Sequence, residues 1–145
     1  MPHPLITQDH IDSCQRDGVV LVRGLLRDHV EALRRGVETN MAEPGEYAAE
    51  NLKAGEGGRF FDDYCNWARI PEFQEVIEKS DVAEAASALM QSPSVQVFHD
   101  HVLVKEPGTS KPTPWHQDCP YYFVDGRQTI SFWSPVDPVR EASLR

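Results

Sequence analysis

The sequence predicts an α+β fold, and three observations carry that prediction. Apolar residues recur at helical spacing through residues 1–92. From Pro93 onward the pattern changes: residues 94–105 alternate as a strand does, and seven of the eleven prolines lie in this part. Charge divides along the same line. Residues 1–100 hold 18 acidic and 9 basic side chains, whereas residues 101–145 hold five of each. Helices followed by β-structure with proline-rich connections define the α+β class.

The elements follow in order. Thr7 can cap a helix over residues 8–17, and Gly18 can close it in the left-handed conformation. The run Val19-Val20-Leu21-Val22 predicts a short strand. Asp28 opens an amphipathic helix whose Val30, Leu33, Val37 and Met41 share one face. Residues 43–58, with one proline and four glycines, read as a loop. Residues 59–64 read as extended, Pro71 opens a helix at its first turn, and Asp81 with Glu84 predicts a capping box for a helix through Met90. A second strand is expected over residues 129–133.

Composition narrows the partners. A net charge of −9 argues against nucleic acid or an anionic membrane surface, and no apolar run approaches the roughly 18 residues of a transmembrane span. The N-terminal residues lack the basic and apolar regions of a secretory signal. Cys14, Cys65 and Cys119 are widely spaced, which reads as reduced thiols in a cytoplasmic protein.

His116-Gln117-Asp118 is the strongest candidate for chemistry. In a strand, residues two apart point the same way, about 6.6 Å apart, so imidazole and carboxylate can converge on one metal. That donor pair, with positions left open, suits non-haem Fe(II). His10-Ile11-Asp12 has the same pattern but lies on a helix, where residues two apart diverge by about 200°. A competing set is His99, His101 and Glu106, whose H-x-H-x4-E spacing matches the core of cupin metal sites. The glycines that flank that motif are replaced by Pro93 and Thr113. On a strand, His99, His101 and Lys105 would share a face, with Phe98, Val102 and Val104 on the other. A cationic face of that kind can line a pocket for a small anion, or simply face solvent. Phe60, Phe61, Tyr64, Trp67, Tyr121 and Tyr122 can line an apolar pocket or pack the core.

The run from His99 to Tyr122 reads HDHVLVKEPGTSKPTPWHQDCPYY and is followed by Val124-Asp125-Gly126 and by residues 131–138, SFWSPVDP. A strand ending in Lys-x-Pro-Gly, a polar loop, then Trp-His-x-Asp-x-Pro-Tyr-Tyr closely resembles the phytanoyl-CoA dioxygenase family of Fe(II)/2-oxoglutarate-dependent oxygenases. The resemblance implies a double-stranded β-helix, the jelly roll also found in cupins, with helices packed outside. It implies His116 and Asp118 as iron ligands and Lys105 as a contact to 2-oxoglutarate. It further implies that His101 and Trp133 line the cosubstrate pocket and that His99 faces the primary substrate. The implied reaction couples conversion of 2-oxoglutarate and O2 to succinate and CO2 with hydroxylation of a small organic molecule.

The same resemblance calls for a distal histidine and, soon after it, an arginine for the far carboxylate of 2-oxoglutarate. No histidine follows His116. The expectation is therefore one domain over residues 1–145, cut before the distal ligand. Within it, residues 1–92 would be mainly helical cover and residues 93–145 the first core strands. Such a piece would expose sheet edges, through which self-association is expected. Two alternatives remain: a non-catalytic metal- or ligand-binding module of the same fold, and a cupin-type metalloprotein using His99, His101 and Glu106.

Overall fold

The computed structural model describes residues 4–140. Its elements run α1 (Gln8–Asp17), a 3-10 turn (Arg27–His29), α2 (Val30–Ala42), β1 (Ala49–Glu50), β2 (Phe60–Tyr64), α3 (Pro71–Lys79), α4 (Val82–Met90), β3 (His101–Lys105) and a second 3-10 turn (Cys119–Tyr121). The three strands form one antiparallel sheet in the order β1-β2-β3. The class is α+β, and the middle strand of the sheet comes from the stretch before residue 93.

Local chemistry explains the helix ends. Thr7 accepts from the His10 N–H, and the His10 ring accepts from the Thr7 N–H, so two orphan donors of α1 are satisfied reciprocally. Gly18 closes the helix at φ 73°, a backbone conformation in which a Cβ would be strained. Pro71 occupies the first turn of α3, where its missing N–H costs nothing. At α4 the expected box does not form: Asp81 stands at the N-cap without a side-chain capping bond, and Ser80 Oγ instead accepts from the Val82 N–H.

Two apolar clusters hold these elements. In the first, Phe61, Ile70, Phe73 and Val102 are buried, with Leu33, Val37 and Met41 of α2 packed on them as the helical spacing predicts. Gly36 makes the α2–α3 approach possible, since a Cβ there would meet the Phe73 ring at 2.4 Å. The second cluster, Ile6, Ala85 and Leu89, is covered by Val20, Val22, Ile130 and Phe132 among others.

That second cluster corrects two sequence expectations. Residues 19–22 and 129–133 are not strands; both are irregular. Their alternation is nonetheless real, because Val20 and Val22 turn to the cluster while Val19 and Leu21 are 71% and 66% exposed. What each lacks is a hydrogen-bonding partner strand among the described residues, and alternation without a ladder is only an extended chain lying on a core. Likewise only residues 101–105 of the expected 94–105 strand pair with a neighbour.

A polar knot ties α2, the following loop and β2. Asp63 is fully buried, and its carboxylate accepts from Asn40 Nδ2 and the Gly45 N–H at 2.7 Å and from the Tyr64 N–H at 2.9 Å. Burial pushes this carboxyl up, but the donors on Gly45, Asn40, Asn66 and Tyr64 outweigh it and hold its pKa below the ordinary value. No helix among the described residues is long and apolar enough to cross a membrane.

Candidate metal centre

The β2–β3 register brings the first set of candidate residues together. Phe60 opposes Lys105, Asp62 opposes Leu103 and Tyr64 opposes His101, so these six share the outer face of the sheet. The expected pairing of His101 with Lys105 on one face, and of Val102 with Val104 on the other, is what the burial of β3 shows. His101 Nε2 lies 3.4 Å from Asp62 Oδ2, and its ring meets Tyr64 edge-on at 5.7 Å. Lys105 Nζ sits 4.6 Å above the Phe60 ring. It also donates to Thr113 Oγ1 at 2.9 Å and to the Lys111 carbonyl at 3.1 Å, anchoring the loop that leads to His116.

His99 precedes β3 and does not join its ladder. It is half-buried among Phe98, Tyr64 and Tyr122, with ring centroids at 4.9, 6.1 and 5.6 Å. Its Nδ1 is buried without a hydrogen-bond partner among the described residues. The next residue, Asp100, fixes this stretch to the turn after β2, its Oδ1 accepting from the Asn66 and Trp67 N–H groups at 2.9 Å. At that turn Cys65 adopts φ 65°, and desolvation with the charges of Asp100 and Asp63 pushes its thiol pKa up.

His116 and Asp118 do converge, although not by strand parity. Residues 111–117 are irregular, and Asp118 is the residue before the Cys119–Tyr121 turn. Prolines 112, 114 and 120 remove the N–H donors a strand would need here. Even so, His116 Nε2 stands 3.3 Å from Asp118 Oδ1, with the two side chains 41% and 49% exposed. His116 Nδ1 lies 2.8 Å from the Pro114 carbonyl oxygen. A carbonyl only accepts, so Nδ1 carries the proton, and in the neutral ring Nε2 turns its lone pair toward Asp118. Two acceptors facing each other at this distance repel unless a proton or a cation lies between them.

That donor set fits a divalent metal. Bonds of roughly 2.1 Å at right angles separate neighbouring donors by about 3.0 Å, close to the observed gap. A backbone carbonyl on the far ring nitrogen is also the usual support of a ligating histidine. Among the described residues no group of three His, Cys, Asp or Glu side chains gathers at one point, for His99, His101 and Glu106 or for any other set.

Other expected residues fall elsewhere. Trp133 is 69% exposed. Phe61 is buried in the first cluster with Trp67 packed on it, whereas Phe60 is buried on the other face of the sheet, under Lys105. Arg59 is held by Glu50 at 2.6 Å, and that hydrogen-bonded partner keeps its pKa raised. Two contacts were not anticipated: Ser131 Oγ donates to Asp118 Oδ2 at 3.3 Å, and Tyr122 Oη lies 3.3 Å from Ser131 Oγ. The clue was available in the alternation of residues 129–133, which sets Ser131 opposite Ile130 and Phe132.

The structure thus places the imidazole and carboxylate of a His-x-Asp motif side by side, on the loop that Lys105 of β3 anchors. The family model for phytanoyl-CoA dioxygenase (PhyH) matches residues 14–143, and the chain belongs to this dioxygenase family. Comparison with curated proteins and with solved structures returns no match.

Proposed function

We propose that the chain carries the metal-binding part of an Fe(II)/2-oxoglutarate-dependent dioxygenase acting on a small organic substrate. The observation that carries this reading is the convergence of His116 Nε2 and Asp118 Oδ1 at 3.3 Å, with the other ring nitrogen committed to Pro114. These two side chains would hold iron. Iron held there would supply the activation of O2, one oxygen atom going to the substrate and the other to 2-oxoglutarate, which supplies two electrons and leaves as succinate and CO2.

The remaining roles belong to the protein's own groups. Lys105 spends two of its three N–H donors on Thr113 and Lys111, which leaves one donor and the full charge for a carboxylate of 2-oxoglutarate. His101 and Trp133 would line the cosubstrate pocket, and His99, with its unpartnered Nδ1, would face the substrate. The fold would be a single domain in which N-terminal helices pack on strands of a double-stranded β-helix, in a cytoplasmic protein whose three cysteines are unpaired. Among the described residues β3 pairs on one side only, and an open edge there would support self-association, which size-exclusion chromatography tests by showing a dimer or a monomer.

One observation favours a second reading, a metal- or ligand-binding module without turnover: only two donors converge among the described residues. The test has two arms. Fe(II) binding under anaerobic conditions should be lost in Asp118→Ala, and oxygen-dependent succinate formation should follow addition of 2-oxoglutarate. Binding without succinate selects the module. Equal Fe(II) binding by wild type and Asp118→Ala refutes the assignment of the ligands.

A further inference from the structure

The loop bearing His116 and Asp118 is anchored where it begins, by Lys105 on Lys111 and Thr113, and is open further along. Residues 111–121 are exposed throughout, and a half-exposed aspartate on such a loop is free to change rotamer. Its two carboxylate oxygens nevertheless have different partners. Oδ1 faces His116, while Oδ2 accepts from Ser131 Oγ. An ionised carboxylate only accepts, so Ser131 gives it the hydroxyl proton and keeps its own lone pairs for the Tyr122 O–H. The chain of donors therefore runs one way, from Tyr122 through Ser131 to Asp118.

Both hydroxyls are rooted in ordered parts of the fold. Ser131 stands between Ile130 and Phe132, which pack against the cluster formed by α1 and α4. The Tyr122 ring lies edge-on to Phe98 at 5.1 Å and to His99 at 5.6 Å. Those two residues adjoin Asp100, which is bonded to the backbone after β2. Asp118 Oδ2 is thus held by Ser131, which the second cluster roots from one side and the Tyr122 hydroxyl meets from the other.

We propose that Ser131 and Tyr122 are positioning residues for the metal-ligand pair, their hydroxyls fixing the Asp118 carboxylate so that Oδ1 meets His116 Nε2. This rests on the reading of His116 and Asp118 as metal ligands, and it assigns to their support two residues outside the His-x-Asp motif. Outer partners of this kind typically set metal affinity by about 10- to 100-fold.

The experiment titrates Co(II), as a spectroscopically visible probe, into the full chain and four variants: Ser131→Ala, Ser131→Thr, Tyr122→Phe and Asp118→Ala. Far-UV circular dichroism and the unfolding midpoint are recorded for each. Ser131→Ala and Tyr122→Phe should weaken Co(II) binding by about 10-fold or more with wild-type unfolding midpoints, and Ser131→Thr should recover most of the loss. Should Ser131→Ala fail to fold, Tyr122→Phe and Ser131→Thr carry the comparison. Wild-type affinity in Ser131→Ala or Tyr122→Phe, with binding lost in Asp118→Ala, overturns the positioning role and leaves the ligands standing. Equal losses in Ser131→Thr and Ser131→Ala overturn the hydroxyl as the cause. A wild-type chain that binds no Co(II) overturns the ligand assignment itself, and the positioning role with it.

Discussion

Replacing Asp63 by asparagine isolates the most concentrated polar interaction in the fold. Oδ2 serves both Asn40 Nδ2 and the Gly45 N–H, and Oδ1 serves the Tyr64 N–H, all at full burial. An amide in the same place has one acceptor oxygen. In its less costly orientation it keeps Asn40 and Gly45, turns an NH2 group on the Tyr64 N–H, and loses the charge that strengthened the other two bonds. One buried unsatisfied donor costs about 1–3 kcal/mol, and two charge-assisted bonds reduced to neutral ones cost about 1 kcal/mol each. The expected destabilisation is about 3–5 kcal/mol, or a midpoint lowered by roughly 10–15 °C. Urea unfolding followed by tryptophan fluorescence measures it. The acid limb supplies an independent sign. The folded pKa of Asp63 lies below its unfolded value, so its contribution is fully present above the unfolded pKa and is lost as pH falls through the folded one. Wild type should therefore lose more stability than Asp63→Asn between about pH 4 and pH 2. A loss under 1 kcal/mol at pH 7, or identical acid limbs, would refute the reasoning.

Three further outcomes follow from local geometry. Gly36→Ala should destabilise by about 1–3 kcal/mol, because the new Cβ overlaps the Phe73 ring and the gain in helix propensity offsets only part of the strain, as thermal unfolding would register. Thr7→Ala removes the acceptor for the His10 N–H, and a loss of about 1 kcal/mol is expected in the same assay. Lys105→Met should leave the unfolding midpoint within about 1 kcal/mol of wild type, since the ammonium is exposed. It should also make residues 106–115 cleave faster under limited proteolysis, because the bonds to Lys111 and Thr113 are gone; an unchanged cleavage rate would count against the anchoring role.

Helix positions were legible because their signals are local. The Thr7 cap, the Gly18 stop, the Pro71 start and the apolar face of α2 each depend on residues within a turn or two, and each is where the pattern puts it. Strands were less legible because half of a strand's definition belongs to its neighbour. Residues 19–22 and 129–133 have the alternation of strands and bury the residues that alternation selects, yet no partner strand among the described residues is bonded to them. β1, by contrast, is two residues inside a glycine-rich loop, and exists because β2 offers it an edge.

The site shows the same division at closer range. Spacing alone put His116 beside Asp118, but through the geometry of a strand; the chain reaches that end by another route. Prolines 112, 114 and 120 keep the segment out of a ladder, the Pro114 carbonyl orients the imidazole, and a 3-10 turn begins at the carboxylate. A loop of this kind can present two ligands, but it cannot by itself keep them in place. The contact that would restrain Asp118 comes from Ser131, 13 positions away in sequence, backed by a tyrosine ring held just before β3. A motif read along the chain therefore names the side chains that would meet a metal, while the hydroxyls that would hold one of them in place lie outside the motif.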